Sequence, residues 1–321
     1  ADLPVRFRLS AQAYQGLVDS LDRDLDYALK TEAGWPGGLA DADPEAYASA
    51  RAEVVARLEA LRPHAPQVVV LPEAALTGYF LQGGVRELAL TRHELLELLV
   101  GVYEKVGWEG VLDVVVGFYE RDEGAYYNSA AYLELPHRVV HVHRKVFLPT
   151  YGVFDEERYL ARGRRVEAFR TRFGRAALLI CEDFWHSITA TIAALDGAEV
   201  IYVPSASPAR GFQGGYPENV ARWRTLAQAV AAEHGLYVVV ASLVGFEGGK
   251  GMSGGSLVVG PDGRVLAEAP LFEEAALLFA LDRERIPPVR YDSPLLSDLE
   301  AGLPLLLSDL QRVLGRRDAD T

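Results

Sequence analysis

The sequence predicts a single α/β domain, and three observations carry that prediction. Apolar runs of strand length alternate with segments of helical periodicity along nearly the whole chain. Runs such as Val114-Val115-Val116 and Val238-Val239-Val240 are apolar on both faces, which calls for helices or a second sheet on each side. No linker, composition shift or tandem repeat divides the 321 residues, a length able to bury a large core.

In order, residues 5–13 alternate Arg6, Arg8 and Ser10 with apolar neighbours and predict a strand. Leu17, Leu21, Leu25 and Leu29 recur every four residues, as on an amphipathic helix. The breakers from Gly34 to Asp43 predict a loop, and Pro44 opens a helix with Val54, Val55, Leu58 and Leu61 on one side. A strand follows over 68–71, a loop over 77–84 and one helix over 87–106. Residues 112–119 make a continuous Val-rich strand, and strands 126–135 and 138–143 flank a Pro136-His137 turn. From Lys145 to Tyr159 the chain is irregular. Short strands over 166–169 and 175–180 enclose a Phe173-Gly174 turn, and a helix runs from Cys181 to about Leu195. Next come a strand over 200–204, a loop over 205–211, a helix over 217–234 and a strand over 236–242. The glycine-rich stretch 245–255 predicts a flexible hairpin. Residues 254–260, 264–269 and 276–281 predict a closing antiparallel meander, and 295–314 a last helix interrupted at Gly302 and Pro304.

Composition narrows the function classes. A formal net charge of −13 disfavours nucleic acid, whose phosphates need a basic face. One cysteine excludes an intramolecular disulfide and a Cys-rich zinc site. The seven histidines include no His-Glu-x-x-His pattern, so neither a metal nor another cofactor is expected. No apolar run approaches the ~20 residues of a membrane span. The first residues carry no signal-peptide pattern, and a cytoplasmic protein is expected. Asn128 and Asn219 are the only asparagines and Met252 the only methionine, a scarcity that suits a heat-adapted source or a biased genome.

Three reactive side chains share one kind of place. Glu73 follows the strand at 68–71, Lys145 the strand at 138–143, and Cys181 closes an apolar strand. Functional groups of α/β sheets gather at such strand ends, where the 205–210 loop also lies. Singly, each has a bland explanation: a buried small hydrophobe, a helix cap, a solvated charge. Together they suit acyl transfer. A thiol is the strongest side-chain nucleophile once deprotonated, an ammonium favours that state, and a carboxylate can take the proton. Glu182 and Asp183 would oppose thiolate formation if they faced the sulfur. The substrate of such a set is a small carboxamide, carbamoyl compound or nitrile. His186 offers a weaker Cys–His alternative, with no orienting Asp or Asn evident. Tyr79, Phe154, Trp185, Glu182 and Ser207 are candidates to line a pocket, and Arg210 to hold a substrate carboxylate. Arg158 is expected to pair with a neighbouring carboxylate.

Three pieces in order resemble the nitrilase, or carbon–nitrogen hydrolase, superfamily. They are Leu71-Pro72-Glu73 with Leu76-Thr77-Gly78-Tyr79, His143-Arg144-Lys145 with Leu148-Pro149, and Ile180-Cys181-Glu182-Asp183-Phe184-Trp185. The resemblance implies a Glu–Lys–Cys triad: Glu73 as base, Lys145 as stabiliser of the oxyanion, Cys181 as nucleophile forming a thioester. It implies a second glutamate nearby, Glu156 or else Glu157. It implies a four-layer α-β-β-α sandwich that pairs into homodimers or larger assemblies without a metal. The segment 286–321 is then an extension used in packing or oligomerisation.

Within that family the stretch from Tyr151 to Tyr159 is most similar to the glutamine amidase domain of glutamine-dependent NAD synthetases. The sequence contains no Ser-Gly-Gly-x-Asp-Ser pyrophosphatase loop, so a free-standing amidase is expected. Ser242 stands where relatives carry an asparagine. The expected activity is an amidase or N-carbamoyl hydrolase. The alternatives are a glutaminase supplying ammonia to a separate synthetase, a nitrilase, or a binding module that has lost the chemistry.

Overall fold

The computed structural model describes residues 44–81, 84–213, 216–247 and 249–319. The strand, helix and loop predicted before Pro44 lie outside the described residues.

The chain enters through helix α1 (Pro44–Leu61), whose Val54 and Leu58 are buried, and passes into strand β1 (Val68–Val70). After a short helix α2 (Val85–Leu88) and a long one, α3 (Arg92–Val106), it forms β2 (Leu112–Asp122), β3 (Ala125–Leu135) and β4 (Arg138–Arg144). These strands make a sheet in the order β1-β2-β3-β4. The β2–β3 turn is Glu123-Gly124, with φ of 48° and 80°, the left-handed pair that a two-residue hairpin needs. β1 runs parallel to β2, and the two following pairings are antiparallel. Two reversals restore the direction of β1. The chain therefore leaves β1 toward Glu73 and β4 toward Lys145 at the same edge.

β5 (Ala168–Thr171), β6 (Gly174–Leu178) and β7 (Val200–Ser205) begin the second sheet, with helix α4 (Ser187–Leu195) between the last two. The two-residue strands β8 (Phe212–Gln213) and β9 (Tyr216–Pro217) precede helix α5 (Glu218–His234). β10 (Tyr237–Ser242), the hairpin β11 (Val244–Glu247) and β12 (Lys250–Ser253), and β13 (Leu257–Val259) and β14 (Val265–Glu268) follow. The second sheet has the order β14-β13-β10-β7-β6-β5. β6, β7 and β10 are parallel neighbours, so Cys181, Ser205 and Ser242 come at or just beyond one edge.

The two sheets face each other. In β2, Val115 points into one core with Leu178, Ile201, Val203 and Val238 of the second sheet. Its neighbours Val114, Val116 and Phe118 point the other way, into a second core with Leu58 of α1 and Leu95 and Leu99 of α3. The period-two alternation of a strand explains that division. On the far side of the second sheet, Ala190 and Ala193 of α4 and Trp223, Ala227 and Val230 of α5 close the first core. The layers are thus helices, sheet, sheet, helices, the sandwich that the resemblance implied.

Four local expectations are corrected. The helix expected over 87–106 is two, because Leu90 turns its N–H to Tyr119 and Thr91 then caps α3 in a reciprocal box with Glu94. The segment after Cys181 is first a tight 3-10 turn, Cys181–Trp185, and only then α4. Residues 276–281 are not a strand: the sheet stops at β14, and Leu278 and Phe279 are exposed. The last helices are α6 (Ile286–Asp292) and α7 (Leu295–Ala319), and Pro304 lies inside α7 without interrupting it. A proline removes one helix hydrogen bond, and the Glu300 carbonyl that loses it belongs to an exposed residue open to water.

Candidate functional site

Glu73 is fully buried, and its position depends on a glycine. A Cβ on Gly117 of β2 would stand 2.6 Å from the Glu73 Cα and 2.5 Å from the Ala74 amide nitrogen. Only a residue without a side chain lets the end of β1 cross β2 this closely. Ala74 then takes a positive φ of 51°, and its carbonyl accepts the Thr77 and Gly78 N–H groups, closing the turn that holds the carboxylate inward. Three donors fix that carboxylate. Asn128 Nδ2 at 2.7 Å and Lys145 Nζ at 2.8 Å donate to Oε1, and the Ala206 N–H donates to Oε2 at 2.7 Å.

Lys145 follows β4, with its own N–H on the Asn128 carbonyl. Its ammonium is buried between two carboxylates, 2.8 Å from Glu73 and 2.7 Å from Glu156. The Tyr79 ring lies 5.7 Å from it. Burial works against the charge, but the two carboxylates outweigh it and hold the ammonium pKa well above its ordinary value. Glu156 opens a 3-10 turn within the irregular segment, and Tyr79 donates its hydroxyl to the same Oε1. Burial first, and the Glu73 carboxylate after it, raise the Glu156 carboxyl to about 7 against the pull of Lys145. Of the two glutamates left open by the sequence, Glu156 meets the lysine, while Glu157 is exposed and paired with Arg162. Two buried acceptors beside this cluster, Asn128 Oδ1 and Glu156 Oε2, have no partner among the described residues.

Cys181 sits where β6 ends, at a positive φ of 43° unusual for any residue but glycine. The Ser205 hydroxyl donates to its Sγ at 3.4 Å. Burial, and then Glu73, push the thiol pKa up, and Lys145 opposes them. Cys181 therefore lies within the influence of both the Glu73 carboxylate and the Lys145 ammonium. Asp183 is buried, and its oxygens are turned to backbone N–H groups and to His143 rather than to the sulfur.

The other candidates divide. Arg210 is half-buried, with its guanidinium 5.4 Å from the Phe154 ring and 5.9 Å from both Tyr151 and Trp185. Tyr151 donates to Glu182 Oε2 at 2.8 Å, which joins Glu182 to this aromatic group. Phe154, Trp185, Arg210 and Glu182 are thus brought together, and Tyr79 joins Glu156. Ser207 is a brace instead: it is buried and accepts from Asn219 Nδ2 at 3.1 Å, and Asn219 also binds the Pro208 carbonyl and the Arg210 N–H. His186 stacks on Phe147 at 3.7 Å and stands 3.8 Å from Glu182, and these are its partners rather than the thiol. Arg158 pairs with Asp155 at 3.7 Å. A depression of about 260 Å³ has Phe147, Pro149, Tyr151, Glu157, Glu182 and His186 in its wall, beside the aromatic group.

Sequence reasoning missed Asn128, Ser205 and Glu247. Asn128 carried a signal, since asparagine is disfavoured inside strands and this chain has two. Ser205 ends a parallel strand. Glu247 carried none: it reaches back from the β11–β12 hairpin to accept the Phe80 N–H at 2.9 Å, over the space that the Gly78 side chain would fill.

Comparison with known proteins bears on the family and the fold. A family model described as carbon-nitrogen hydrolase matches residues 40–291. The chain is 32% identical over 231 residues to the glutamine-dependent NAD(+) synthetase of Rhodobacter capsulatus, covering 72% of this chain and 40% of that protein. It is 28% identical to the N-carbamoylputrescine amidase of Solanum lycopersicum, covering 56% of this chain and 62% of that one. Among solved structures, a carbon-nitrogen hydrolase from Helicobacter pylori G27 superposes with a TM-score of 0.71 at 28% identity, covering 81% of this chain and 94% of that chain. The chain spans about two fifths of the length of the synthetases it matches.

Proposed function

The chain belongs to the carbon–nitrogen hydrolase family, and from that premise we propose that it hydrolyses the ω-amide or carbamoyl group of a small molecule through a thioester on Cys181. The observation that carries the reading is the buried cluster in which Lys145 bridges Glu73 and Glu156 beside the thiol. Glu73 Oε2 accepts one N–H and keeps a lone pair for the thiol proton. In the first half-reaction sulfur attacks the carbonyl carbon as that proton passes to Glu73. Lys145 stabilises the oxyanion, a contribution of about 3 kcal/mol for one well-placed donor. Collapse breaks the C–N bond, and Glu73 returns the proton to the nitrogen, which leaves as ammonia. Water then attacks the thioester, Glu73 takes its proton, and the acid leaves as the thiol is restored. The open acceptors Asn128 Oδ1 and Glu156 Oε2 suit the N–H groups of an amide or of departing ammonia.

Two charges outside the cluster favour an amino-acid-like substrate. Arg210 suits a carboxylate and Glu182 an ammonium, across the same aromatic wall. That combination, with the similarity to glutamine-dependent synthetases, supports a second reading as a glutaminase feeding a separate synthetase. A nitrile would engage the same triad. Homodimers or larger assemblies and a reducing, cytoplasmic setting for the thiol complete the proposal. Ammonia release from a panel of ω-amides, carbamoyl amino acids and nitriles tests it. Turnover of at least one amide or carbamoyl compound, abolished in Cys181→Ala, is expected. Turnover that survives this substitution overturns it, and added synthetase that fails to speed glutamine hydrolysis removes the second reading.

A further inference from the structure

Asp183 is two residues past the nucleophile and touches none of the three groups assigned to the chemistry. It is nevertheless fully buried, and nearly all its hydrogen-bonding capacity is spent on backbone next to them. Oδ1 accepts the N–H groups of Val146 and Phe147, each at 2.9 Å, which are the two residues following Lys145. Oδ2 accepts the N–H of Ile180, the residue preceding Cys181, at 3.2 Å, and lies 2.8 Å from Nε2 of the buried His143, two residues before Lys145. The Asp183 N–H returns to the Ile180 carbonyl at 2.9 Å, and the Thr189 hydroxyl holds the Asp183 carbonyl at 2.6 Å.

One carboxylate therefore joins two chain segments that belong to different sheets. Lys145 leaves the first sheet and Cys181 the second, and among the described residues no strand pairing links the two. Without a tie, each side chain would follow its own sheet. The turn also keeps Cys181 in its left-handed conformation, which a residue with a Cβ tolerates only when its surroundings fix it. We propose that Asp183, oriented by His143, is the positioning residue that sets the relation between the Lys145 ammonium and the Cys181 sulfur. The inference rests on the reading of those two groups as stabiliser and nucleophile.

The geometry also predicts which change is damaging. In Asp183→Asn one acceptor oxygen becomes an NH₂ group. Both sides of the carboxylate face donors, so either orientation of the amide sets donor against donor. Glu73, Glu156, Tyr79 and Ser205, which also face the lysine or the thiol, are untouched.

The test compares the full chain with Asp183→Asn, and His143→Gln with His143→Ala. Active sites are counted by stoichiometric iodoacetamide labelling of Cys181. For Asp183→Asn, kcat per labelled site is expected to fall about tenfold to a hundredfold with KM within about threefold, the scale of a small misplacement. The labelling rate constant should fall at least about tenfold near neutral pH, because the ammonium no longer stands by the sulfur. A purely structural role has the opposite sign: loosened packing would speed labelling of this buried thiol and leave kcat per site unchanged, and that result overturns the proposal. If Asp183→Asn does not fold, the histidine pair decides. Glutamine retains an N–H donor and should keep kcat within about threefold of wild type, while alanine should lose about tenfold. Equal values for the two contradict the proposal. Wild-type protein that labels rapidly, and slows in Asp183→Asn, yet hydrolyses no amide would sink the proposed function and leave the positioning role standing.

Discussion

At the scale of single residues the site is governed by a shortage of water. Lys145, Glu73 and Glu156 are ionisable groups in the interior, and the two carboxyl groups both bond the lysine ammonium. Removing the lysine leaves two carboxylates facing each other, so Lys145→Met should cost about 3–5 kcal/mol of stability in chemical denaturation, besides abolishing turnover. Glu156 gives a pH signature. Its carboxyl lies above the ordinary range in the folded chain, at about 7. A group raised on folding contributes stability that is whole below its unfolded pKa and is lost as pH rises through the folded value. The urea midpoint of wild type relative to Glu156→Gln should therefore fall as pH rises from about 4.5 to about 7, and level off above that. That Glu73, Lys145 and Cys181 would meet was legible because each follows a strand-like run, and the structure brings the carboxylate, the ammonium and the thiol into one buried cluster. Asn128 and Ser205 showed only their positions, a rare strand asparagine and a strand end, because the donors they aim across the fold at Glu73 and Cys181 exist only in three dimensions.

At the scale of elements, position is set where backbones approach. Gly117 is a surface of β2 on which the Glu73 turn rests. Gly117→Ala should destabilise by about 1–3 kcal/mol, as overpacking does, and reduce kcat more than KM by displacing the carboxylate. A variant with full kcat would disconnect this crossing from the chemistry. The β11–β12 hairpin ties two walls of the site: Glu247 holds the Phe80 N–H, and the Gly251 carbonyl accepts the N–H of Ala209 in the Arg210 loop. The period of the apolar pattern made helices and strands readable here, but not their internal breaks. Apolar periodicity continues through Ala89 and Leu90, and the break comes from the pairing of Leu90 with Tyr119 and Arg121 on a distant strand together with the Thr91–Glu94 cap. The turn at Cys181 is hidden for the same reason, since its cause is an aspartate bonded to residues far along the chain.

At the scale of the molecule, two sheets that share no strand bring their edges together, and the site occupies that seam. Strands apolar on both faces predicted helices or a second sheet on each side, and the four layers themselves were implied by the resemblance to the family. The last helix was legible as well, but not the exposure of its apolar side chains or of those at 276–281, which find no cover among the described residues. Leu305, Leu306, Leu310 and Leu314 of α7 are all exposed. A surface of this kind is expected to be covered by a second copy. Sedimentation should give dimers or larger species, and Leu306→Glu with Leu310→Glu should shift them toward monomer; a wild-type monomer at working concentration contradicts this. The proposed chemistry turns on acylation of the Cys181 sulfur, which lies within the electrostatic reach of the Lys145 ammonium and the Glu73 carboxylate. Its most direct measurement is the mass of the protein quenched with acid during turnover of an amide. The account predicts an added mass equal to the acyl group on the peptide bearing Cys181, absent in Cys181→Ala and accumulating in Glu73→Gln if attack still proceeds. Turnover with no mass added at Cys181, or an acyl group carried on any other residue, would contradict it.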